Sequence, residues 1–175
     1  MLATSTSIIK DFITVDEQTE LRAWALSQYP DLIVKTEHLV AADSTGWRRS
    51  EDVRLLEPLP LLGEIQGRIQ ETLGLGDLKL YRVKLIMHET GSNTDEHIDR
   101  NFRRRPAEGL NRANILLQAA DSGGIFQIEG QPVDLPERGL LHYVGQTPHE
   151  VTRITKGSRM LIANFFGPRN TNDTA

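Results

Sequence analysis

From Lys79 onward the hydrophobic pattern has a period of two, carried in short runs that glycine and proline interrupt. Tyr81, Val83, Leu85 and Met87 alternate with Arg82, Lys84 and Ile86, the pattern of a half-buried strand. Further strand-like runs follow at 96–99, 112–118, 124–128, 139–144, 148–154 and 159–166. Gly91, Gly109, Gly123-Gly124, Gly130, Pro132, Pro136, Gly145 and Gly157 punctuate them. A chain of about eight short strands preceded by helices predicts an α+β, mainly β fold. The expected form is a double-sheet jelly roll with two supporting N-terminal helices packed outside it.

The first helix is announced by Thr14-Val15-Asp16-Glu17, a capping box with Thr14 as N-cap. It is expected to run to about Tyr29 and stop at Pro30, with Leu21, Trp24 and Ala25 forming a core-facing stripe. Residues 8–13 read as a short first strand and Leu32-Ile33-Val34 as another. The stretch from Ala41 to Arg54 reads as a polar loop holding Trp47, Arg48 and Arg49. Pro58 and Pro60 introduce a second helix, in which Leu62, Ile65, Ile69 and Leu73 recur at three and four residues. Gly74 supplies its C-terminal stop. No repeat or linker divides the 175 residues, so one domain is expected: helical support over 1–78, β core over 79–166 and a tail over 167–175.

Composition narrows the function. A net charge of −4 argues against a nucleic-acid partner, whose binding surface is usually basic. The absence of cysteine excludes disulfides, thiolate metal sites and thiol nucleophiles. No apolar run reaches the roughly 18 residues of a membrane span, and Met1 to Ser7 lack a secretory pattern. The cytoplasm is the expected location, with no membrane partner.

The chemistry-bearing residues cluster in the β region. His97 and Asp99 are two apart, which on a strand places imidazole and carboxylate on one face. His149, in the β-prone Pro148-His149-Glu150-Val151, is placed to complete a 2-His-1-carboxylate triad. That donor set holds non-haem Fe(II) on one side and leaves the other positions open. Ten residues on, Arg159 begins an otherwise apolar strand. A cation entering a core needs an anion, and guanidinium grips a carboxylate in bidentate fashion.

Several motifs together resemble the Fe(II)/2-oxoglutarate-dependent dioxygenases, within them the prolyl 4-hydroxylase-like branch. They are His88-Glu89-Thr90-Gly91 leading to His97-Ile98-Asp99, then Gly123-Gly124-Ile125-Phe126, His149-Glu150-Val151 and Gly157-Ser158-Arg159. The resemblance implies a double-stranded β-helix in which the strands of His97 and His149 are neighbours. It implies that His97, Asp99 and His149 bind Fe(II) and are catalytic, with Arg159 on the distal carboxylate of 2-oxoglutarate. Where the branch often has a tyrosine, this chain has His88, and Asn114 stands on a strand where another tyrosine is common. His88 and Asn114 are therefore the candidate additional contacts to 2-oxoglutarate. The implied reaction is C–H hydroxylation using O2, with release of succinate and CO2. Related halogenases have a small residue in place of the carboxylate; Asp99 fills that position and favours hydroxylation.

The run Arg100-Asn101-Phe102-Arg103-Arg104-Arg105 reads first as a solvated loop, yet it follows the metal motif directly. Arg100 and Arg112 are accordingly the candidate substrate contacts, for a small-molecule or peptidyl substrate bearing a carboxylate or phosphate. His38 and His142 have no partner at ligand spacing and read as structural or surface residues. A zinc or cupin-type site, with Glu150 as a possible base on the opposite strand face, is one alternative. A non-catalytic jelly-roll module with a structural metal is the other. Oligomeric state is unspecified by these features.

Overall fold

The computed structural model describes residues 6–35, 47–49, 53, 56–99 and 109–168. Helix α1 (Val15–Ser27) starts with the capping box: Thr14 Oγ1 accepts from Glu17 N–H while Glu17 accepts from Thr14 N–H. It ends in a single 3-10 turn, Tyr29–Asp31. Helix α2 (Pro60–Leu73) has proline in its first turn, where a missing N–H costs nothing. It closes on Gly74 at φ 64°, a left-handed cap that a side chain would disfavour.

The strands in chain order are β1 (Ser7–Ile9), β2 (Ile33–Lys35), β3 (Trp47–Arg49), β4 (Leu78–His88), β5 (Thr94–His97), β6 (Asn111–Gln118) and β7 (Ser122–Gly123). They continue with β8 (Phe126–Ile128), β9 (Gln131–Pro132), β10 (Leu140–Val144), β11 (His149–Val151), β12 (Ile154–Lys156) and β13 (Arg159–Pro168). All pairings are antiparallel. The large sheet runs β1-β10-β6-β13-β4-β3-β2, the smaller one β5-β11-β8-β9, and β12 pairs with β7 in a two-stranded ribbon.

The helices cover the outer face of the large sheet. Leu21, Trp24 and Ala25 from α1 and Leu62, Ile65 and Ile69 from α2 join Val83, Leu85, Met87, Ile115, Leu117 and Ile162 in one core. Each large apolar side chain buried there contributes roughly 1.5–3 kcal/mol, so this layer fixes which face of the large sheet turns inward. The residues of opposite parity, including Ile86 and Leu161, face the smaller sheet.

Two expectations are corrected here. Trp47-Arg48-Arg49 is not loop but strand β3, paired with both β2 and β4. β4 is not half-buried: from Val83 to His88 every residue is buried, on both faces. Alternation of apolar and polar residues identifies two different faces, and here the polar one turns toward a cavity instead of solvent.

Candidate metal centre

His97 ends β5 and His149 begins β11, and they are direct cross-strand partners. Their ring centroids are 4.3 Å apart. Nδ1 of His97 lies 2.8 Å from the Asp95 carbonyl oxygen, and Nδ1 of His149 lies 2.9 Å from that of Thr147. A carbonyl only accepts, so Nδ1 carries the proton in each ring and Nε2 keeps its lone pair. That is the tautomer of a metal ligand whose outer nitrogen is tied down. Burial lowers the His149 pKa to about 4 in spite of the opposing pull of Asp99, which leaves the ring neutral near pH 7.

Asp99 arrives by another route than strand alternation, because β5 stops at His97. Its N–H donates to the Gly145 carbonyl at 2.8 Å, and Gly145 N–H donates to the Leu110 carbonyl at 2.7 Å. A Cβ on Gly145 would sit 3.2 Å from Asp99 Oδ2 and 2.8 Å from Leu110 Cδ2, so glycine lets this turn close on the carboxylate. Arg112 on β6 donates from Nη1 to both Asp99 oxygens at 2.7 Å. Phe165 stacks under that guanidinium, 4.0 Å from its carbon to the ring centre. Asp99 Oδ2 is 3.9 Å from His149 Nε2. Ligand atoms of His97, Asp99 and His149 thus all lie within 4.8 Å of one another. Two imidazoles and one carboxylate on one side of a cavity are a donor set that would suit Fe(II).

That cavity has a volume of about 670 Å³ and lies between the two sheets. It is large enough for a chelating diacid and a second small molecule. Arg159 and His88, cross-strand partners on β13 and β4, also line it. Arg159 is 3% exposed, and its Nη1 has no hydrogen-bond acceptor among the described residues. Burial pulls its pKa down to about 10, the mark of a cation that lacks full compensation. Such a group is a seat for a carboxylate. Burial and the neighbouring Arg159 lower the His88 pKa to about 3, so His88 is a neutral ring, 2.8 Å from Thr94 Oγ1 through Nε2. The buried Asn114 side chain is a hydrogen-bond neighbour of the buried Tyr143 hydroxyl. Tyr143 meets His149 edge-on at 5.0 Å, and burial raises its phenol pKa so that it remains a donor.

The structure therefore brings His97, Asp99, His149, Arg159, His88, Asn114 and Arg112 to one cavity. Arg112 is there as the partner of Asp99. Arg100 and His38 lie outside the described residues. His142 is half-buried and bonded to Asn111 Oδ1 at 2.9 Å, a structural role as expected. Glu150 is not among the lining residues. Sequence reasoning missed Tyr143, Phe165, Arg82 and Lys84. The signal for the last two was parity: residues 82 and 84 share the alternation of His88.

No family model matches the chain. A PKHD-type hydroxylase of Gluconobacter oxydans (strain 621H) is 31% identical over 100 residues, covering 51% of this chain and 43% of that protein. The match thus spans less than half the length of that relative. A prolyl-4-hydroxylase of Pseudomonas putida superposes with a TM-score of 0.70 at 17% identity, over 94% of this chain and 93% of its own. The non-heme α-ketoglutarate dependent epimerase SnoN from nogalamycin biosynthesis superposes with a TM-score of 0.77 at 13% identity, over 97% and 83%. The chain shares the jelly-roll fold of these 2-oxoglutarate-dependent oxygenases.

Proposed function

We propose that this chain, with an oxygenase jelly roll around a His-Asp-His cluster, is an Fe(II)/2-oxoglutarate-dependent dioxygenase. It hydroxylates an unactivated C–H bond of a small amino-acid-like, natural-product or peptidyl substrate. The observation that carries this reading is one cavity with three metal-ligand side chains on one wall and the buried Arg159 on the other.

His97, Asp99 and His149 hold Fe(II), Arg159 takes the distal carboxylate of 2-oxoglutarate, and His88 and Asn114 flank the same co-substrate. When bound, iron with 2-oxoglutarate and O2 supplies the oxidising chemistry, with succinate and CO2 as by-products. The protein's share is positional. Thr147 and Asp95 hold the imidazoles as Nε2 ligands. Arg112 and the Gly145 backbone orient Asp99. Phe126 and Tyr143 pack beside His149, at 5.7 and 5.0 Å between centroids, and keep bulk water from it. Asp99 occupies the position that a halide would need, which supports hydroxylation. A hydrolytic zinc site is disfavoured because Glu150, its expected base, does not line the cavity. The net charge of −4 supports a small or peptidyl substrate over a nucleic acid, in a cytoplasmic setting.

The test is anaerobic titration of 2-oxoglutarate into Fe(II)-loaded protein, followed by admission of O2 and assay of succinate with amino acids and peptides. Metal-dependent binding and substrate-stimulated succinate release are expected. Absence of metal-dependent 2-oxoglutarate binding would sink the assignment.

A further inference from the structure

The cavity carries cations that neither the metal nor 2-oxoglutarate uses. Arg82 and Lys84 share the inward parity of Ile86 and His88 on β4, and both line the cavity. Arg82 is half-buried and Lys84 only 6% exposed. Lys84 Nζ lies 5.4 Å from the centre of the Phe165 ring. Both side chains engage other groups of the protein, so an arriving anion would share or exchange those partners. Keeping an ammonium at such depth opposes folding unless anions compensate it.

Charge balance points the same way. Among the described residues, Arg82, Lys84, Arg112 and Arg159 line the cavity against Glu96 and Asp99. A divalent metal brings two positive charges and 2-oxoglutarate two negative ones, so loading leaves the positive surplus in place. Arg112 is committed to Asp99 and Arg159 is assigned to the co-substrate, which leaves Lys84 and Arg82 on β4 as the lining cations whose present partners an anion could share.

Register separates this patch from the co-substrate seat. His88 lies opposite Arg159, whereas Lys84 lies opposite Ala163 and Arg82 opposite Phe165. Across β13, Ala163 faces Asn114 and Phe165 faces Arg112, the residue bonded to Asp99. Lys84 and Arg82 therefore lie progressively farther from Arg159 along the wall, toward the Asp99 end.

Resting on the co-substrate reading above, we propose that the substrate bears an acidic oxyanion group, a carboxylate or a phosphate, which Lys84 and Arg82 hold. Anchored there, at the Asp99 end of the wall, the remainder of the substrate extends toward the metal ligands.

The experiment uses Fe(II)-loaded protein saturated with 2-oxoglutarate under anaerobic conditions, so that Arg159 is occupied and no turnover occurs. Acetate, methyl phosphate and neutral acetamide are titrated by calorimetry. Wild type should bind acetate or methyl phosphate in preference to acetamide, and the tighter of the two identifies the group. Lys84→Gln and Arg82→Gln should each weaken that binding by about five- to tenfold, while Lys84→Arg largely retains it. In all three, 2-oxoglutarate affinity should stay within about twofold of wild type, because the seat of Arg159 is untouched. Absence of anion binding, equal binding of acetate and acetamide, or unchanged binding in both glutamine variants overturns the proposal. Failure of wild type to bind 2-oxoglutarate at all overturns instead the reading on which it rests. Circular dichroism checks folding; should Lys84→Gln not fold, half-buried Arg82→Gln decides the matter alone.

Discussion

At the scale of single residues the site is a set of groups made costly by burial. Arg159 is the clearest, a buried guanidinium lining the cavity, one nitrogen of which has no acceptor among the described residues. Truncating one partner of a buried charge pair costs about 3–5 kcal/mol. Arg159→Ala should therefore weaken 2-oxoglutarate binding by about a hundredfold or more while metal affinity holds, as parallel titrations of the two would show. His88 and His149 are buried as neutral rings, with pKa values lowered to about 3 and about 4. In the unfolded chain both would take up a proton near the ordinary histidine value, about 6.5. Their contribution to stability is thus complete above pH 6.5 and is lost as pH falls toward 4 and 3. Denaturant midpoints of metal-free protein should fall through that window, and His88→Gln should flatten the decline. The grouping was legible beforehand: the spacing of His97, Asp99, His149 and Arg159 singled out four residues that the structure brings to one cavity. Tyr143 was not, because an aromatic in an apolar run reads as core until its ring is seen against His149.

At the scale of elements, pairing does what spacing cannot. The β5–β11 pairing sets His97 opposite His149, and the chain turn at Gly145 brings Asp99 to them after the strand has ended. Gly145→Ala should push a methyl group against Asp99 Oδ2 and Leu110. A loss of metal affinity of about tenfold is expected, the scale of disturbed outer-sphere partners, with far-UV circular dichroism unchanged. Metal titration checks it. The start of α1 and the end of α2 were read correctly because capping chemistry is local: Thr14, Glu17 and Gly74 act within one turn of themselves. The end of α1 falls at Ser27, short of the expected Tyr29, and Pro30 sits inside the 3-10 turn that follows. β3 was read as loop because Trp47-Arg48-Arg49 becomes a strand only through its long-range partner β4. β4 itself was given a wet face. Periodicity reports that polar residues share a side, but says nothing about whether that side meets bulk water or an enclosed cavity.

At the scale of the molecule, the architecture of helices outside a jelly roll followed from strand count and punctuation, whereas strand order did not. Neighbours such as β13 and β4 are far apart in sequence, and only packing selects among the alternatives. The candidate metal ligands belong to the smaller sheet and the turns around it, and Arg159 to the large one. Fe(II) plus 2-oxoglutarate should then raise the melting temperature more than the separate increments of each combined. At a hundredfold excess over its dissociation constant one ligand alone contributes about 2.7 kcal/mol. Differential scanning fluorimetry with each addition alone and together measures this, and strictly additive shifts would contradict it.

The imidazoles owe their orientation to carbonyls only two residues earlier in their own backbone, Asp95 and Thr147. The two rings are consequently aimed from within the smaller sheet, whereas Asp99 is steadied from the large one by Arg112. Under the proposed reading, exchanging Lys84 and Arg82 would retune what the cavity admits while the imidazoles keep their aim.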